Sequence, residues 1–244
     1  MKPIVIAIVS LSVLGAGRAL AADVELPAPL PPSAPSYHYA PPVDWSGIYL
    51  GLNGGYDLGK SNWSTGGLST GNFSTNGFLL GGTLGINYLT GSGFLVGVEG
   101  DFDWSTLLGQ SSTTACAGLA VAIIPPGAAC GTKSEWLSTG RGRAGYVFNR
   151  FLVFVSAGAA IADMKVGLNP PGNYQAVGPQ LGWTAGGGIE YAFSDSWTAK
   201  LEYLYLDLGD VSCTAAGNCV STATATVTLK ENIVRGGFNY KFTW

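Results

Sequence analysis

The sequence predicts an all-β chain folded as an eight-stranded antiparallel up-and-down transmembrane barrel, with long extracellular loops and short periplasmic turns. Three observations predict it: apolar surface without a spanning helix, connections of alternating length, and strands whose charges all share one face. The 244 residues are 47% hydrophobic but only 11% charged, against about 25% charged in ordinary soluble domains. Beyond the first twenty residues no apolar run approaches the ~20 residues that a transmembrane helix needs. A closed barrel is the other structure that satisfies its backbone hydrogen bonds inside lipid. The 37 glycines, scattered through extended segments, argue against helices and give strands room to curve.

The first 44 residues stand apart. Lys2, the apolar run from Ile4 to Leu14 and the small-x-small Ala19-Leu20-Ala21 read as a signal peptide over residues 1–21. Its apolar run is too short to span a bilayer. Cleavage removes Lys2 and Arg18, leaving 10 basic against 15 acidic residues, a net charge of −5. That acidic balance argues against a nucleic-acid partner. Residues 22–44 hold seven of the 13 prolines. They read as an extended periplasmic linker, because proline has no N–H to give a ladder.

From Trp45 to Trp244 the chain divides into eight strand-like segments, about 47–58, 77–88, 94–104, 136–148, 151–164, 181–193, 197–208 and 226–244. Short turns follow the second, fourth and sixth: Thr90-Gly91-Ser92-Gly93, Asn149-Arg150 and Ser194-Asp195-Ser196. Longer loops over roughly 60–75, 105–133, 165–180 and 209–225 follow the others. Even strand number with alternating short turns and long loops is the pattern of an outer-membrane barrel.

Side-chain parity supplies the third observation. Glu99, Asp101 and Asp103 share one face of the third strand, while Val96, Val98, Phe102 and Trp104 take the other. Arg141 and Arg143 oppose Trp136, Tyr146 and Phe148. Glu190 opposes Trp183 and Tyr191, and Lys200 and Glu202 oppose Leu201, Tyr203 and Tyr205. Glu231, Arg235 and Lys241 oppose Val234 and the terminal rings. A soluble eight-stranded barrel would have to hold those rings in a lumen only wide enough for side chains. Rings to lipid and charges to lumen is the arrangement that fits. Phe238, Tyr240, Phe242 and Trp244 alternate with polar residues, so the last segment reads as a lipid-facing closing strand that seams onto the first.

The run Asp44-Trp45-Ser46-Gly47-Ile48-Tyr49-Leu50-Gly51-Leu52-Asn53-Gly54-Gly55-Tyr56, with Gly97-Val98-Glu99-Gly100-Asp101 and Asn232-Ile233-Val234-Arg235-Gly236-Gly237-Phe238, resembles a known family. It is similar to the small porin-like outer-membrane β-barrel proteins and surface antigens of alpha-class Gram-negative bacteria, relatives of the OmpA-type membrane domain. Most of residues 44–244 take part. The family usually ends on Phe where this chain has Trp244. The resemblance implies an outer-membrane location and the barrel-assembly machinery as a partner, with Phe238, Tyr240, Phe242 and Trp244 as the assembly signal. It implies no defined transport substrate.

For function the residues leave three classes to weigh. Inward carboxylates and cations are costly unless paired. Glu99 with Arg141, and Glu202 with Arg235, lie close enough to pair, which favours a plugged interior over an open pore. A surface or adhesive role is the second class, supported by the Ser/Thr/Gly-rich connections. Enzymatic chemistry normally calls on a histidine base, and the one histidine, His38, lies in the linker. Cys116, Cys130, Cys213 and Cys219 all fall in the longer connections. They read as two local disulfides, although four cysteines allow three pairings. Ligand spacing for a metal is missing and no cofactor is expected. The apolar run from Ala117 to Ile124 is either a partner site or a loop folded over the barrel mouth. The expected partners are outer-membrane lipid and lipopolysaccharide, and the barrel is read as a monomer.

Overall fold

The computed structural model describes residues 43–119, 127–170, 172–213 and 225–242. The signal-peptide and linker segments before residue 43, Cys219 and Trp244 lie outside them, as does the side chain of Cys213. The chain forms β1 (Gly47–Thr65), the two-residue β2 (Leu68–Ser69), β3 (Phe73–Leu89), β4 (Phe94–Gln110), α1 (Thr113–Ala117), β5 (Ala129–Phe148), β6 (Phe151–Asn169), β7 (Asn173–Ala192), β8 (Trp197–Cys213) and β9 (Ala225–Lys241). Consecutive long strands pair antiparallel, and β9 pairs back onto β1 from Tyr49↔Lys241 to Ser64↔Thr226. The sheet therefore closes on itself with eight long strands, and β2 adds a two-residue flap to β1.

Each long strand holds between 17 and 20 residues, whereas a tilted strand crosses a bilayer in about 9–11. The outer faces show where the crossing lies. On β1, outward Ile48, Leu50, Leu52, Tyr56 and Leu58 give way to outward Lys60 and Asn62. On β4 the apolar row runs from Phe94 to Trp104, and on β6 from Phe151 to Ile161. The apolar band thus covers the periplasmic half of the barrel, and the other half rises clear of it. Ring pairs line both margins of the band: Phe94 with Tyr146 and Trp197 with Tyr240 below, Phe102 with Trp104 and Trp183 with Tyr205 above.

The strands run well past the boundaries expected from sequence, and the connections shorten accordingly. The segments 60–65 and 105–110, expected as loop, are strand, and β6 meets β7 across residues 170–172. Two features conceal these extensions. Residues above the band exchange lipid for water outside, so their apolar side chains turn inward and the pattern read lower down inverts. Register irregularities also fall there, between Trp104 and Leu107, Lys133 and Leu137, Met164 and Lys165, and Asp207 and Asp210. Pro179, which reads as a loop residue, sits opposite Asp163 beside one of them, a position where a strand tolerates proline.

The periplasmic turns lie where sequence places them. Gly93 takes φ +85° in the β3–β4 turn and Asn149 takes φ 55° between β5 and β6, the left-handed region those residue types enter most readily.

Candidate functional site

The interior is built in three layers. At the periplasmic end Val43 and Trp45, just ahead of β1, are buried with Leu95, Leu152, Phe154 and Ala192. These apolar side chains occupy the mouth of the barrel. Lys241 lies at the same end, under the field of Asp44 and Asp195.

Above this plug lies a charged layer that crosses the lumen. Arg141 on β5 reaches Glu99 at 2.5 Å and Asp101 at 2.6 Å on neighbouring β4, and Glu202 at 2.5 Å on β8. Arg235 on β9 meets Glu202 at 2.9 Å, Asp101 at 2.9 Å and Asp103 at 3.1 Å. Lys200 donates to both oxygens of Glu99 at 2.8 Å. Arg143 reaches Glu190 at 2.7 Å and Glu99 at 3.2 Å, while its guanidinium lies 4.4 Å from the Phe154 ring centroid. Five carboxylates thus meet four cations among the described residues, and all of them are buried. Polar neighbours occupy further acceptor positions. The Tyr49 hydroxyl donates to Glu99 at 2.6 Å, Thr83 and Thr139 donate to Asp101, and Thr198 and Asn239 donate to Glu190. Tyr49 fits because the Gly85 opposite it has no Cβ; one there would meet the phenol ring. Buried charge at this density is tolerable only when each group is paired and hydrogen-bonded.

The third layer is apolar. Trp63, Leu79, Leu107, Leu137, Met164, Val166, Leu204, Leu206, Val227 and Leu229 belong to one buried cluster, with Val177 packed against it. All eight walls contribute to it, so inward side chains from opposite sides of the lumen meet. Asp57 on β1 and Glu231 on the paired strand β9 are both buried at this level. The cap belongs to the same cluster. Ser112 caps α1 by accepting from the Ala115 N–H at 3.1 Å. Cys116 is bonded to Cys130, and Cys116, Leu119 and Ala128 are buried with the upper core. The described part of this connection is therefore folded over the barrel mouth; residues 120–126 lie outside the described residues.

The structure places the eleven inward charges expected from sequence inside the barrel. Nine form the network just described, Glu231 is buried with Asp57 in the layer above it, and Lys241 sits at the periplasmic mouth. Sequence reasoning missed Asp57, Tyr49, Asn53, Thr83, Thr139 and Ser156, which share the lumen. Parity would have found Asp57 and Tyr49, which oppose Leu50, Leu52, Tyr56 and Leu58 on the first strand. Cys213 and Cys219 as a second pair fall outside the described side chains. Phe238, Tyr240 and Phe242 face outward at the periplasmic margin.

The model of the outer membrane protein beta-barrel domain matches residues 32–242. The chain belongs to this outer-membrane β-barrel family. Its location is the outer membrane, and its lumen is narrow and filled. Among curated relatives it is similar to the 31 kDa outer-membrane immunogenic protein of Brucella melitensis, 34% identical over 99% of this chain and 100% of that protein. It is also similar to the 22 kDa outer membrane protein of Rhizobium leguminosarum, 31% identical over 68% of this chain and 66% of that one. Of solved structures, OprG from Pseudomonas aeruginosa covers 82% of this chain and 97% of its own with a TM-score of 0.49 at 13% identity. Within the family, the layered interior is what bears on function.

Proposed function

We propose that this barrel is a closed structural and surface-display element of the outer membrane, with neither a diffusion pathway nor a catalytic role. The carrying observation is that a buried, internally paired ion network lies between two apolar layers. Water following the charges would have to pass Trp45 and Leu152 below and Leu107, Leu206 and Leu229 above. The carboxylates that could serve as acid or base are held in ion pairs, which opposes enzymatic use. Purified protein in planar bilayers is expected to give no reproducible conductance steps, and stable steps of one size would overturn the reading.

A surface-interaction role is favoured by a separate observation: the strands rise above the lipid band, and the connection from β4 to β5 forms a disulfide-clasped cap over them. Deleting the cap should then abolish binding to the partner surface without loss of the folded barrel. Residues 1–21 would leave as a signal peptide, residues 22–44 would form the periplasmic linker, and the outward rings of β9 would be read by the assembly machinery.

A further inference from the structure

Outward-facing cations are scarce above the lipid band. Among the described residues they are four lysines, and they stand in two cross-strand pairs: Lys60 opposite Lys230 on β1 and β9, and Lys133 opposite Lys165 on β5 and β6. Like charges directly opposite on an antiparallel ladder repel, so each pair calls for an anion. Lys133 and Lys165 find one within the chain, since Glu135 meets them at 2.9 and 2.5 Å. The other pair is only half answered. Asp207 meets Lys230 at 3.0 Å, while Lys60 makes no ion pair among the described residues.

Their height matters as much as their charge. The outward apolar row of β1 ends at Leu58 and Lys60 is the next outward residue. On β9, Val234 is followed upward by Asn232, which accepts from the Tyr203 hydroxyl at 2.7 Å, and then by Lys230. From Ile48 to Leu58 is about the length of one bilayer crossing, so both ammonium groups stand at the level of the outer-leaflet headgroups. A cleft of about 380 Å³ lies between them, lined also by Tyr205, Thr228 and Asn232.

We propose that this cleft binds a phosphoryl group of an outer-leaflet glycolipid between Lys60 and Lys230. The assignment rests on the outer-membrane reading and adds a specific contact to it. A phosphate monoester brings roughly −1.5 to −2 of charge and three acceptor oxygens, enough to reach two lysines facing each other. Lysine serves such groups as a point charge. The chain carries a net charge of −3, so this cleft is a local exception to an acidic protein.

The test uses purified full-length barrel in detergent micelles. Native mass spectrometry would count lipid retained from titrations with bisphosphorylated lipid A and with the same lipid dephosphorylated. The wild-type barrel should prefer the phosphorylated lipid about tenfold. Lys60→Gln with Lys230→Gln should erase that preference. Lys133→Gln with Lys165→Gln should leave it intact, and Asp207→Asn should strengthen it. Undiminished preference in the folded Lys60/Lys230 variant would overturn the site. Displacement by equimolar inorganic phosphate would reassign it to free anions and overturn the lipid assignment. Heat-modifiable gel mobility reports folding; if the double variant misfolds, single Lys60→Gln decides, with a partial loss expected and no loss overturning the site. Cell fractionation separates the two levels of claim, because absence from the outer membrane would strike the location rather than the cleft chemistry.

Discussion

The two halves of this barrel solve opposite solvent problems with the same strands. In the membrane half the outer face is apolar and the interior, above the apolar plug at the periplasmic mouth, is charged. In the extracellular half the outer face carries Lys60, Asn62, Lys133 and Glu135, while the interior is Leu107, Met164, Leu206 and Leu229. Lipid offers no hydrophobic drive toward the interior, so there the inside is held by ion pairs and hydrogen bonds that substitute for water. Once water replaces lipid outside, burial of apolar surface becomes favourable again and the core becomes that of a soluble protein. The difference teaches that the medium outside sets the outward face, and the interior takes the complement. A filled lumen follows from both halves.

The sharpest way to break the comparison is to remove one charge from the lower half. Arg141→Leu leaves Glu99, Asp101 and Glu202 short of a partner, and should cost about 3–5 kcal/mol in urea unfolding from lipid vesicles. A loss below 1 kcal/mol would mean that water already solvates the layer. Leu107→Ala in the upper core should cost about 2–4 kcal/mol. Its effect should be regional: amide exchange rises above the lipid band and stays slow between Ile48 and Leu58. Uniform loss of protection would deny that the halves are separate. Cys130→Ser opens a link across 14 residues of sequence and should cost about 3 kcal/mol or less, seen as protease cleavage within residues 111–128.

The smallest effect is electrostatic. Hydrogen bonds from Lys165 and then Lys133 hold Glu135 below the ordinary carboxylate range. A depressed carboxylate stabilises above its unfolded pKa, and that contribution fades as pH falls through the lower folded value. Because Glu135 is exposed, the loss on acidification below about pH 4.5 should stay within about 0.5 kcal/mol, measured as the difference between wild type and Glu135→Gln. A larger difference would indicate a more enclosed site.

Strand parity in the sequence reported the side of the charged residues wherever lipid lies outside, while inward Leu95, Leu152 and Phe154 carry no such mark. It separated Glu99, Asp101 and Asp103 from Val98, Phe102 and Trp104, and it separated Arg235 and Lys241 from Val234 and Phe238. The short turns at Gly93 and Asn149 were equally legible, because left-handed backbone restricts residue choice. Parity failed above the band, where Met164, Val166 and Leu168 turn inward beside polar neighbours and Pro179 sits in a strand. There the sequence lacks any mark of where lipid stops.

By itself, then, the sequence determined the eight-fold repeat, the lipid face and the set of lumen charges, since each depends on residues within one strand. Only the tertiary structure decided which charge meets which. Glu99 with Arg141, and Glu202 with Arg235, are neighbours along the wall. Arg141 with Glu202, Arg235 with Asp103 and Lys200 with Glu99 meet across the lumen. Those contacts depend on barrel diameter, tilt and closure of β9 onto β1, which strand periodicity does not encode. The filling of the interior depends on the same closure, because opposite walls must face each other before their side chains can fill the space between them.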